Sequence, residues 1–226
     1  PEFFYKYGAG PLFDMGPYYF TALVTLLGPV KSVSGSVRTS FTERTITSQP
    51  KYGKKVEVEV PTHVSGILNF ANGALVTLTT SFDVWDSHTP RVELYGAEGC
   101  LSINDADPLA GPNIFGGKLE FRDKKTADWN GFPSIIPRKE EATKWTSLPT
   151  LFSYNENSRG VGIADMAAAI RKNRKHRAYG NLAFHVLELM HGIYISAKEN
   201  RVYELKSTCE RPEPLPLDAS EFIFND

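Results

Sequence analysis

Residues 8–28 read GAGPLFDMGPYYFTALVTLLG, and the fold is decided by how this stretch is taken. Phe20, Leu23, Val24 and Leu27 recur at helical spacing, which predicts a helix with a single apolar stripe. Asp14 suits the N-cap, where a carboxylate accepts a bond from an otherwise unpaired N–H. Pro17 then falls in the first turn, where its missing N–H removes no intrahelical bond. Gly28-Pro29 ends the helix with a permissive residue followed by a breaker.

A cap and a stripe leave Tyr18 over. Residues four apart share one helix face, so Asp14 and Tyr18 can converge on one point, which the glycines ahead keep uncluttered. A carboxylate and a phenol side by side can bond a substrate hydroxyl and share its proton. The plainer alternative is a helix cap beside a half-buried aromatic ring.

Outward from this stretch the pattern becomes alternation. Val33, Gly35, Val37, Thr39 and Phe41 mark an extended segment, and VEVEV at 56–60 alternates cleanly. THVSGILNF leads through Asn72-Gly73 into ALVTLTTSF, a strong hairpin signal. VELYGAEGCLSI repeats the device, and KLEFR, KWTSL and RVYELK add further strands. Strands joined by tight turns run antiparallel. Residues 104–145, rich in Pro, Gly and charge, predict long loops rather than a linker between domains.

Two helices are expected near the end. In VGIADMAAAIRKN the stripe runs through Ile163, Met166, Ala167 and Ile170. In residues 181–199, with Asn181 as N-cap, it runs through Phe184, Leu187 and Ile193. The whole is expected to be α+β: an open, mostly antiparallel sheet with helices on one face and the other face available for oligomerisation.

Composition bounds the function. The 226 residues are 41% hydrophobic and 23% charged with a net charge of -1, as expected of a soluble globular protein without a nucleic-acid or membrane partner. The basic run RKNRKHR at 171–177 reads as a solvated helix end. Only two cysteines occur, Cys100 and Cys209, which fits reduced thiols in the cytoplasm. The chain opens at Pro1 without a methionine, as a piece of a longer protein would. His185, Glu188 and His191 drift around their helix at i, i+3 and i+6, so no metal site is expected. Trp85 and His88, just past a strand, and Asn157 and Arg159, just before a helix, are further candidates for substrate contacts.

The order of a glycine-rich stretch, Asp-x-Gly, a Tyr four residues after the Asp, and an apolar helix ending in Leu-Gly resembles the start of the C-terminal domain of the Gfo/Idh/MocA family. That family includes the glucose–fructose oxidoreductases, inositol dehydrogenases and dihydrodiol dehydrogenase-like enzymes. Gly8, Gly10, Asp14, Gly16, Tyr18, Leu27 and Gly28 carry the match, and NFANGALVTLTTSF, VELYGAEGCLSI, RGVGIADMAAAIRKNRKHRAYG and HVLELMHGIYISAKENRVYEL extend it. The resemblance implies a single substrate-binding and oligomerisation domain over 1–226, belonging to an NAD- or NADP-dependent oxidoreductase that acts on a secondary hydroxyl of a sugar or polyol. Asp14 and Tyr18 would be its catalytic residues here, and a homodimer or homotetramer would form through the sheet. The chain contains neither G-x-G-x-x-G nor the family's Glu-Lys-Pro, so the dinucleotide-binding domain is expected to lie outside it and no cofactor to bind it alone. The alternative is a non-catalytic self-association or binding module built on the exposed sheet face.

Overall fold

The computed structural model describes residues 1–103, 118–125, 144–149, 151 and 160–217. A short 3-10 helix, Glu2–Tyr5, leads into α1, Pro11–Leu27. The strands β1 (Val30–Arg38), β2 (Glu43–Thr45), β3 (Lys55–Glu57), β4 (His63–Phe70) and β5 (Leu75–Ser81) follow. Next come β6 (Val92–Gly96), β7 (Gly99–Ile103), β8 (Leu119–Asp123) and β9 (Thr146–Ser147), then α2 (Val161–Arg171), α3 (Gly180–Glu199) and β10 (Tyr203–Glu204). All strand pairings among the described residues are antiparallel, so the α+β expectation is met. The chain divides into two compact units, residues 1–85 with 169–214 and residues 86–168 with 215–226. Within the second, the strands order β6-β7-β8-β9, with Tyr95 opposite Cys100 in the hairpin expected from VELYGAEGCLSI.

The first unit is a sheet of order β10-β1-β4-β5, with α1 and α3 on one face. The Asn72-Gly73 hairpin forms as expected: Phe70 N–H donates to the Ala74 carbonyl at 2.9 Å, and Asn72 Oδ1 accepts from Ala74 N–H. Gly73 supplies the positive φ of 91° that this three-residue loop requires. Register sorts the two faces. Val33, Leu68 and Val76 stand in one cross-strand row and Val64 in another, all turned to the helices. Between these rows lie Ser34, Ile67 and Thr77, and Ser36, Ser65 and Thr79, on the opposite face. Among the described residues that face carries no helix of the first unit, and Ile67 and Leu75 on it are exposed. The core between sheet and helices is closed by Leu12, Phe20, Val24, Leu189 and Ile193.

Three local expectations are corrected. The first concerns α1, which begins at Pro11, three residues before Asp14, and has Gly10 as its N-cap. Proline is already set for the first helical position, and Gly10 takes a φ of 92° with Val60 and Pro61 packed against it. Asp14 therefore sits in the first turn without a capping bond, and Pro17 lies inside the helix, where it cannot donate to the Phe13 carbonyl. In the second, VEVEV, only Lys55–Glu57 is strand, because Val58 N–H and Glu59 N–H turn to the Thr42 and Tyr5 carbonyls.

The third concerns helix phase. In α2 the expected stripe faces solvent, with Ile163 73% and Ile170 75% exposed, while Asp165, Ala168 and Ala169 are buried. In α3 the buried positions are Leu182, His185, Val186, Leu189, Met190 and Ile193, so Ile193 is as expected but Phe184 and Leu187 are exposed. Its N-cap is Tyr179 rather than Asn181. Both helices carry two adjacent apolar stripes, and in α2 the buried one is the stripe of small residues, Ala168 and Ala169. Small residues allow a closer approach to a neighbouring element than large ones. Accordingly, Ile163→Ser should change stability by less than about 0.5 kcal/mol, whereas Ala169→Leu should cost about 2 kcal/mol. Urea midpoints of the two variants check the assignment.

Segment 203–214 is tied down along its length. β10 pairs with β1, Glu188 accepts from Lys206 N–H and Ser207 N–H at 2.8 Å each, and Tyr179 Oη bonds both N–H and C=O of Glu210. The basic run contributes too: Lys175 pairs with Glu210 at 2.9 Å, and Arg177 donates to the Glu213 and Pro214 carbonyls. These cations serve as local ties, consistent with a solvated helix end.

Candidate functional site

The buried side of α1 is marked by Leu12, Gly16, Phe20 and Leu23. An α-helix advances about 100° per residue, which puts Asp14 and Tyr18 each about 160° from Gly16 and about 40° from each other. They therefore share the face that points away from the core. Tyr18 is 45% exposed and Asp14 half-buried. Neither side chain has a hydrogen bond or ion pair among the described residues. A carboxylate that only accepts thus stands one turn from a hydroxyl that both donates and accepts, with both valences open.

What holds this pair is the close packing behind it. Gly16 has no side chain, and a Cβ there would lie 3.1 Å from Met190 Sδ, so α1 and α3 approach closely. Phe13, the residue before Asp14, stacks on Tyr194 at 5.7 Å and meets the edge of His191 at 5.0 Å. Burial pushes the Tyr194 hydroxyl up to about 12, and no described group bonds it. Thr80 Oγ1 donates to the Pro11 carbonyl, which ties the start of α1 to β5.

The remaining candidates separate. Trp85 is 91% exposed in the first unit, and His88 is exposed in the second. Asn157 and Arg159 lie outside the described residues. His185 and Glu188 are both engaged within the fold. Val30 N–H donates to His185 Nε2 at 2.9 Å, which leaves the ring proton on Nδ1, 2.8 Å from Ser207 Oγ. Among the described residues no group of three metal-ligating side chains converges. No described helix is long and apolar enough to cross a membrane.

A dinucleotide does not fit the turn ahead of α1. A Cβ at Gly10 would meet the Pro61 carbonyl at 3.1 Å and Val60, so the backbone next to the α1 N-terminus is packed by the chain itself, and the acidic Asp14 in the first turn opposes a phosphate there.

Residues 1–102 match the GFO/IDH/MocA C-terminal domain. Solved structures similar in fold include an oxidoreductase from Agrobacterium radiobacter in complex with NAD+, L-tartaric acid and magnesium. It shares 14% identity at a TM-score of 0.55, over 85% of this chain and 48% of its own. Levoglucosan dehydrogenase is similar at 20% identity and a TM-score of 0.62, over 89% and 52%. An oxidoreductase domain protein from Kribbella flavida is similar at 16% identity and a TM-score of 0.61, over 88% and 52%. At these identities the likeness is one of fold. The chain spans about half the length of the structures it matches. No curated protein matches it in sequence.

Proposed function

We propose that this chain is the substrate-binding part of an NAD- or NADP-dependent oxidoreductase acting on a secondary hydroxyl of a sugar or polyol. The observation that carries the reading is the open Asp14–Tyr18 pair, one helical turn apart on the outer face of α1, within the segment that matches the family. Asp14 accepts a hydrogen bond from the hydroxyl, and Tyr18 donates to or accepts from the same oxygen as its proton is managed. A nicotinamide dinucleotide, where bound, supplies hydride transfer, and its binding groups lie outside this chain. Levoglucosan dehydrogenase, solved with NADH and L-sorbose, supports a sugar-like substrate, and Trp85, His88, Asn157 and Arg159 would furnish further contacts.

Assayed in the protein that carries the dinucleotide-binding half, Asp14→Asn and Tyr18→Phe should each lower kcat about 100-fold with little change in cofactor affinity. Turnover equal to wild type in both variants would make the pair structural and remove this reading.

A second reading, self-association through the open sheet face, is favoured by the exposed Ile67 and Leu75 among its hydroxyl rows. Light scattering on this chain should then report a dimer or tetramer, and a strict monomer at high concentration would discard it.

A further inference from the structure

The open face of the sheet in the first unit carries a cation at one end and a carboxylate at the other. Val33 faces the helices and Gly35 lies beneath α3, so alternation along β1 puts Ser34, Ser36 and Arg38 on the open side. His63 and Ser81 stand beside Arg38 in one cross-strand row. At the far end Ser32 pairs with Glu204 of β10. A Cβ at Gly192 of α3 would lie 2.6 Å from the Tyr203 ring, so Tyr203 turns to the helix side and Glu204 to the open side. Six residues of extended chain, about 20 Å, separate Arg38 from Ser32. Arg38 and Glu204 are both exposed, and neither side chain has a hydrogen bond or ion pair among the described residues. The groups around Arg38 add no negative charge. His63 is held between the Ser81 and Ser65 hydroxyls at 3.0 and 3.3 Å, and the Asp83 carboxylate is taken up by Arg44 and Thr62. Lys31, at the bulge next to Ser32, makes no ion pair with Glu204.

Between these ends Ile67 is exposed, and Leu75 is exposed beside Asn69, leaving apolar surface that a second copy can cover. Sheets packed face to face keep their strands within about 30° of one another, which leaves two ways to relate the copies by a two-fold axis. An axis along the strands lays the Arg38 end of each copy over the same end of its partner, and like charges meet. An axis across the strands exchanges the ends, so each Arg38 lies over the partner's Ser32 and Glu204. Juxtaposed like charges are penalised and opposite ones are not, so the charge pattern selects the second arrangement. We infer that a second copy of this chain docks on the open face with its strands reversed, and that Arg38 of each copy pairs with the partner's Glu204. This rests on the self-association reading and adds to it an orientation and a residue pair, made twice by symmetry.

Charge reversal in this chain tests it, with association read by sedimentation velocity over a concentration series. Arg38→Glu and Glu204→Arg each set like charges against one another at both symmetry-related contacts. Either variant alone should raise the dissociation constant at least tenfold. An equimolar mixture of the two restores an opposite-charge pair at both contacts and should associate within about threefold of the wild type. Within one chain the two positions are about 20 Å apart, so recovery in the mixture can come only from contact between copies. Because both residues are exposed, both variants are expected to fold, and unchanged urea midpoints check this. Variants that associate like the wild type would overturn the inference and leave self-association standing, as would weakened variants whose mixture does not recover. A wild type that stays monomeric at every concentration would remove the self-association reading and this inference with it.

Discussion

Gly35→Ala is expected to destabilise the first unit by more than about 3 kcal/mol, at the upper end of what overpacking costs. Gly35 lies on β1 beneath α3, and a Cβ built there would fall 2.5 Å from the Ile193 carbonyl oxygen and 2.8 Å from Ile193 Cγ2. The carbonyl belongs to helix backbone and cannot swing aside as a flexible side chain would. Relief requires α3 to lift from the sheet, which would loosen the buried contacts of Leu189 and Ile193 and stretch the 3.0 Å bond from Gly35 N–H to Ser196 Oγ. Gly162→Ala is the control, since nothing lies within 4 Å of a Cβ there. Urea denaturation of the two variants gives the comparison. A loss below about 1 kcal/mol for Gly35→Ala would show that α3 is not seated as described.

His185→Leu should cost about 2–3 kcal/mol near neutral pH, because the buried Val30 N–H loses its acceptor and Ser207 loses its donor. The same residue makes stability depend on pH. Burial of the ring outweighs the attraction of Glu188 and lowers the His185 pKa from its ordinary 6.5. Between that lowered value and 6.5 the unfolded chain binds more protons than the folded one, so stability rises with pH. The contribution of His185 is therefore complete above about 6.5 and is lost as pH falls below it. Glu188 adds a lower step. Burial works against its charge, but the Ser207 hydroxyl, the N–H groups of Lys206 and Ser207 and the Tyr203 hydroxyl together hold it at about 2, against an ordinary 4.5. Its contribution is present above 4.5 and fades toward 2. Thermal midpoints taken between pH 7.5 and 3 should fall in two stages in the wild type, and the upper stage should be missing in His185→Leu. An upper stage that survives the substitution would assign that proton to another group.

Legibility in the sequence followed the range of the forces involved. The β4–β5 and β6–β7 hairpins could be read because turn chemistry is local: Asn72-Gly73 and the glycines at 96 and 99 favour reversal wherever they occur. The family resemblance rested on the spacing of Asp14, Gly16 and Tyr18, and helical periodicity placed Asp14 and Tyr18 on one face before any tertiary contact was known. The start of α1 was less accessible, since Pro11 and the strained Gly10 outrank a plausible cap at Asp14 only once Val60 and Pro61 are packed against Gly10. The contact of His191 with Phe13 is not legible in the sequence, because the two lie far apart along the chain and meet only where α3 packs on α1.

By itself, then, the sequence determined the helices, the tight-turn hairpins and the shared face of Asp14 and Tyr18, all set by backbone geometry within a few residues. Only the tertiary structure decided which stripe of α2 and α3 is buried and which polar groups remain open for a ligand. Periodicity says that a helix has faces. Which face is buried depends on how closely another element can approach, and at Gly16, Gly35, Ala168 and Ala169 the missing or small side chain settles that.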